Sequence, residues 1–221
     1  MVLKYNASFN DNLISLFQKH EYEKYVLYFM NKSKIVFPGK YTFVENQSYG
    51  ECDFTDNTTF EKFDAKLPFE KDQVKLLTSG RNHNPLVTEW LKQMQSEAAD
   101  FNPLEIRSNP DYNIANTKLY QIIKDAIEKD NIDEHIIFFL PYPIVLSVED
   151  SIFLQFAGDY LKAIYSRLNG DLCLHSRKIY AIYPASKENQ FALRELSSYQ
   201  IEYITCEQLG KYFTYDIVSV N

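Results

Sequence analysis

Glycine is scarce in this chain, with six among 221 residues. None of them builds a phosphate-cradling loop or a dinucleotide fingerprint, so the sequence is poorly suited to hold a nucleotide. Cysteine is scarcer: Cys52, Cys173 and Cys206 show no paired spacing, which argues against a disulfide framework or a zinc site and predicts a reducing compartment. A nucleophile elbow and a paired-histidine zinc helix are both missing. No apolar run approaches membrane length, so no membrane association is expected. The first residues lack the charged-then-apolar pattern of a secretory leader, and the expected location is cytoplasmic. Internal repeats and low-complexity tracts are also absent, and the length fits one domain over residues 1–221.

What is present is concentrated between Glu51 and Lys66. Glu51-Cys52-Asp53-Phe54 is followed by Phe63-Asp64-Ala65-Lys66-Leu67, which begins ten residues after Asp53. Period-two alternation places Glu51, Asp53 and Thr55 on one side of a strand and Cys52 and Phe54 on the other. On the next strand Lys62, Asp64 and Lys66 share a face, opposite the apolar Phe63, Ala65 and Leu67. Asp56-Asn57-Thr58-Thr59 between them favours a tight reversal. The spacing therefore predicts a hairpin with Asp53, Asp64 and Lys66 on one polar side. Carboxylate oxygens from one or two Asp residues suit Mg²⁺, and a lysine beside them can orient or deprotonate an attacking water. The chemistry implied is phosphodiester hydrolysis. The plainer reading is a solvated face with exposed ion pairs worth roughly 0–1 kcal/mol.

Upstream, Asp11 to Met30 carries Leu13, Ile14, Leu16, Phe17, Val26, Leu27 and Met30 at helical spacing, with Asn10 or Asp11 as N-cap. Glu21 lies one turn from Phe17 and from Tyr25, on or beside the apolar stripe, where an acid needs a partner. Lys24 or Lys40 would serve. Lys34–Phe37 and Tyr41–Glu45 read as β-rich runs split by Pro38-Gly39 and supply a first strand.

The residues of the hairpin resemble the motif of the PD-(D/E)xK nuclease superfamily: an Asp on one strand, matched by Asp53, then an acid-x-Lys on the next, matched by Asp64 and Lys66. The family's usual proline before the first Asp is replaced by Cys52. The resemblance implies an α/β fold, a mixed sheet with flanking helices built on an α-β-β-β-α-β restriction-endonuclease-like core, and cleavage of nucleic acid, DNA ahead of RNA, with Mg²⁺ or Mn²⁺. It also implies an acid on the first helix completing the metal site. Glu21 is the candidate, with Glu45 as an alternative. His20 matches the early-helix histidine of some viral members, and Gln73 the helical glutamine of others.

Further along, Pro68–Leu77 opens a helix, Ser79–Pro85 is a polar loop holding Arg81 and His83, and Leu86–Ala99 is a helix carrying Trp90. A helical insertion is expected near residues 70–130. Thr117–Lys129 is an amphipathic helix, Ile136–Leu140 a buried central strand, and Ser151–Leu168 a helix. In the tail, Lys178–Tyr183 is predicted as a strand, Lys187–Ser198 as a helix, Ile201–Ile204 as a strand, Cys206–Phe213 as a short helix and Tyr215–Val220 as a strand. This alternation predicts α/β layering with part of the sheet parallel.

The net charge of −7 opposes tight autonomous binding to a duplex, because phosphate contacts dominate such affinity. A local basic strip from Lys62, Lys66, Lys71, Lys75 and Arg81 offsets this, and Lys62, Gln73 and Arg81 are the candidate substrate contacts. Two readings follow: a metal-dependent nuclease using Asp53, Asp64, Lys66 and Glu21, or a non-catalytic accessory factor on the same scaffold whose acidic surface meets a protein partner.

Overall fold

The computed structural model describes residues 2–9, 16, 21–44, 51–67, 118–130, 133–139, 162–172, 174, 176–185, 189–198 and 200–220. The first element, β1 (Val2–Phe9), pairs antiparallel with the last, β9 (Phe213–Val220), in a separate two-stranded sheet. Between them lie α1 (Glu21–Lys32), β2 (Tyr41–Phe43), β3 (Phe54–Asp56) and β4 (Lys62–Lys66). Then come α2 (Lys118–Lys129), β5 (Glu134–Phe139), a helical stretch α3 over 162–172, β6 (Ile179–Pro184), β7 (Gln190–Glu195), β8 (Ile201–Thr205) and a 3₁₀ turn, Glu207–Lys211.

Strands β2 to β8 form one seven-stranded mixed sheet in sequence order. Its two parallel pairings are β4 with β5 and β5 with β6; the rest are antiparallel. The molecule is therefore a mixed α/β protein. Parallel neighbours need crossover connections, and α2 and α3 each lie between two parallel strands. The central strand β5 is buried on both sides, which explains its unbroken Ile136-Ile137-Phe138-Phe139 run.

Alternation along the strands sorts the core into two layers. Phe63, Ala65, Ile137, Phe139, Tyr180 and Ile182 pack with α1, whose Tyr22, Tyr25, Val26, Phe29 and Met30 recur at helical spacing. Ile136, Phe138, Ile179, Ala181 and Tyr183 pack instead with Tyr120, Ile123 and Ile127 of α2 and Ile164 and Leu168 of α3. Each such large side chain contributes about 1.5–3 kcal/mol by leaving water. Asp64 pairs in register with Ile136 and Lys66 with Phe138, so both motif residues face the α2 layer. Among the described residues no helix is long and apolar enough to cross a membrane.

Three expectations are corrected by the structure. Residues 190–195, expected within a helix over Lys187–Ser198, form β7. Gln, Ala, Leu, Arg and Glu are good helix formers, but Phe191, Ala192 and Leu193 are buried between β6 and β8, and tertiary pairing overrides propensity. The tail is consequently an antiparallel meander, and the parallel pairings lie in the middle of the chain. Lys34–Phe37 is a bend, not a strand. Its backbone N–H groups at Lys34, Ile35 and Val36 donate to the Glu202 carboxylate at 2.9, 3.1 and 3.2 Å, the Ser33 hydroxyl donates at 2.5 Å, and Phe37 N–H donates to Ser33 Oγ at 2.8 Å. Residues 2–9, not anticipated as structured, form β1. The expected helices over 68–77 and 86–99 lie outside the described residues, as do Cys173 and residues 151–161.

Glu202 thus replaces the hydrogen bonds a strand would have made. Partial burial alone would raise its pKa, but the four donors outweigh that and leave it below the usual carboxylate range. The sign follows from a lowered folded-state pKa: the stabilisation is present above the ordinary carboxylate value and is lost as pH falls through the lowered one. Glu202→Ala is expected to cost about 1–2 kcal/mol at pH 7, reduced by solvent access at this edge, and markedly less at pH 3. Urea unfolding of both proteins at the two pH values measures this; an equal loss at both would show that the ionised carboxylate is not the acceptor that matters.

Candidate functional site

The hairpin places its acids by backbone bonding. Strand pairs Phe54↔Phe63 and Thr55↔Lys62 leave Asp53 at the end of the ladder, where its N–H donates to Phe63 O at 3.0 Å and its carbonyl accepts from Val44 N–H at 3.1 Å. Its carboxylate crosses to the next strand and accepts from Ala65 N–H at 2.7 Å. The reversal is held by Asp56, whose buried carboxylate accepts from Thr58 and Thr59 N–H at 2.7 and 3.3 Å. This is the Asx-type turn that the 56–59 composition favours.

Asp53 and Asp64 are thereby brought within hydrogen-bonding reach of each other. Asp64 is only 8% exposed. Burial first, and then the shared hydrogen bond with Asp53, push it up to about 6. Burial also raises Asp53, partly countered by the same hydrogen bond. Two carboxyls this close do not both ionise readily, so the pair keeps a shared proton up to about pH 6.

Lys66 Nζ lies 2.6 Å from Asp64 Oδ2 and 3.1 Å from Asp130 Oδ1. Burial works against its charge, but Asp64 and Asp130 outweigh it and hold the pKa above the ordinary lysine value. An ammonium so placed orients or neutralises; it does not act as a base. Asp130, just past α2, also meets Arg177 Nη2 at 3.5 Å. Arg177 is buried and donates to the carbonyls of Ile127 at 2.9 Å and Glu134 at 2.7 Å. The Glu134 side chain is buried as well, and burial, Asp64 and Asp130 all raise its pKa.

From the other side, α1 contributes Tyr22 and Glu23. The Tyr22 hydroxyl donates to Ala65 O at 3.3 Å and is hydrogen-bonded with Glu23. Glu23 is buried, and its charge helps raise Asp53. Glu21, two residues earlier, sits in an ion pair with Lys24 at 2.5 Å, the partner its sequence position allowed. Glu23 was legible by the rule that pointed to Glu21: it lies three residues before Val26 and seven before Met30, both buried on the stripe. Asp130 and Arg177 carried no local signal, because only the sheet brings the end of α2 and the start of β6 to the hairpin.

Asp53, Asp64 and Lys66 therefore converge. Lys62 is exposed at the start of β4 and acts electrostatically on Glu134 and Cys52. Gln73, Arg81, His20 and Glu45 lie outside the described residues. Among the described residues no three or more His, Cys, Asp or Glu side chains are gathered to hold a metal ion. No family model, curated protein or solved structure matches the chain.

Proposed function

We propose that the protein is a metal-dependent nuclease hydrolysing phosphodiester bonds, with Asp53 and Asp64 as its metal-binding carboxylates. The carrying observation is the pair itself: two mostly buried carboxyls, one just before β3 and one on β4, share a hydrogen bond, with an ammonium 2.6 Å from the second. Such a donor set fits a hard divalent cation, Mg²⁺ or Mn²⁺, which takes one or two carboxylates and fills its remaining positions with water and phosphate oxygens. The cation would supply polarisation of the phosphate and charge compensation at the leaving oxygen.

The chain's own residues do the rest. Ala65 N–H fixes the Asp53 carboxylate, so its orientation is set before any ligand arrives. Lys66 places positive charge beside the same site, where a phosphate accumulating negative charge is stabilised. Support also comes from the order α1-β2-β3-β4-α2-β5, with β2, β3 and β4 antiparallel and β5 parallel to β4. Among the described residues this order is compatible with the expected α-β-β-β-α-β core, with Asp53 just before β3 and the Asp64-x-Lys66 triplet on β4.

A second reading, a non-catalytic protein-interaction factor, is favoured by one observation: Lys66 is already bound between two carboxylates. Purified protein incubated with single- and double-stranded DNA and RNA, in Mn²⁺, Mg²⁺ or EDTA, separates the two. Cleavage that needs the cation and falls more than about 100-fold in Asp53→Asn and Lys66→Met is expected. Absence of cation-dependent cleavage on all four substrates removes the nuclease reading.

A further inference from the structure

Lys66 is the long-stemmed member of a network anchored at its far end by Arg177. Its ammonium bridges Asp64 at 2.6 Å and Asp130 at 3.1 Å. Asp130 is held from behind by Arg177 at 3.5 Å. Arg177 is in turn bonded to the last turn of α2 through Ile127 O and to the first residue of β5 through Glu134 O, at 2.9 and 2.7 Å. A planar guanidinium with several bonds in a buried setting has no freedom to follow a moving partner. Lysine, on its four-carbon stem, has that freedom.

On the metal reading of the site, on which this inference rests, Asp64 must turn from the ammonium to a divalent cation. The two positive charges compete for the same oxygens. We infer that Asp130 is a positioning residue that retains the Lys66 ammonium when Asp64 passes to the cation. Its Oδ1 is already in contact with Nζ, so Lys66 gives up one carboxylate without being released to water, and stays beside the place where phosphate would lie. In Asp130→Asn the ammonium has only Asp64, and a cation must displace it. Arg177 acts one step further out by preventing Asp130 from following the lysine.

Mn²⁺ binding to the full chain at fixed pH, by calorimetry or by the spin-resonance signal of free Mn²⁺, tests this without reference to cleavage. Wild type, Asp130→Asn, Lys66→Met, the double variant and Asp130→Glu are compared. Asp130→Asn is expected to weaken binding about 10-fold in the wild-type background and less than about twofold in the Lys66→Met background, with Asp130→Glu recovering most of the loss. Simple removal of a negative charge would weaken binding equally in both backgrounds, and that result overturns the role of Asp130. The Lys66→Met background and Asp130→Glu keep the comparison decisive if Asp130→Asn alone unfolds. No Mn²⁺ uptake by the wild type would overturn the metal reading of Asp53 and Asp64, and with it this role.

Discussion

Asp64→Asn is expected to raise the melting temperature of the metal-free protein at neutral pH while abolishing metal-dependent cleavage. Asp64 is buried, and burial together with Asp53 moves it from an ordinary value of 3.8 to about 6. A carboxyl whose folded-state pKa is raised contributes stability that is fully present below the unfolded value and is lost as pH rises through the folded one. The metal-free wild type therefore loses stability between about pH 4 and about pH 6. An asparagine, neutral throughout, keeps it. The shift from 3.8 to about 6 sets an upper limit of about 3 kcal/mol on the difference, and Lys66 loses an anionic partner in the variant, so about 1–3 kcal/mol is expected above pH 6. For a chain of this length that is roughly 2–10 °C in melting temperature. Thermal unfolding in EDTA from pH 4 to pH 8 measures it: the two proteins should differ little at pH 4 and diverge above pH 6. Mn²⁺ should then raise the melting temperature of the wild type and not that of the variant, because only the former binds it in the folded state. A variant less stable than wild type at pH 7.5 would mean that Asp64 is a satisfied structural ion pair, and would remove the physical basis for a cation site.

The largest loss of stability is expected at Arg177. Its guanidinium bonds Ile127 O, Glu134 O and Asp130 in a setting almost closed to water. Arg177→Met preserves length and apolar bulk but removes the donors of two backbone bonds and the second cation beside Asp130. Breaking a buried pair by deleting one partner costs about 3–5 kcal/mol, far more than the pair is worth as a whole, because the groups left behind stay desolvated. Arg177→Lys should recover only a part, since a point-like ammonium does not span three acceptors. Urea unfolding reads the difference, and a loss under about 1 kcal/mol would show that this network does not hold α2 to β5.

Much of this was legible from local pattern. The stripes of α1 and α2 and the apolar run of β5 each announced one element, because burial of one helical face or of both strand faces imposes its own period on the residues. The hairpin was legible for the same reason: alternation separates Asp64 and Lys66 from Phe63 and Ala65 whatever else the chain does, and Asp56 closes the reversal with its own backbone. Where the pattern was short, it misled. Residues 190–195 carry helix-forming side chains, and only the presence of β6 on one side and β8 on the other makes them a strand. The run 34–37 is β-rich, yet a carboxylate some 166 to 168 residues away takes its N–H groups.

Local periodicity alone determined which side of α1, α2 and β4 is apolar, and hence that Asp53, Asp64 and Lys66 lie on neighbouring polar positions of a hairpin. Only the folded sheet decided how those charges behave. Pairing β4 in parallel with β5 turns Asp64 toward the α2 layer and brings Asp130, with Arg177 behind it, to Lys66, while α1, packed on the other layer, sets Glu23 rather than Glu21 against Asp53. Spacing along a chain encodes direction over a few residues. The desolvation and charge pairing that shift these groups depend on segments that meet only when non-local strands have closed.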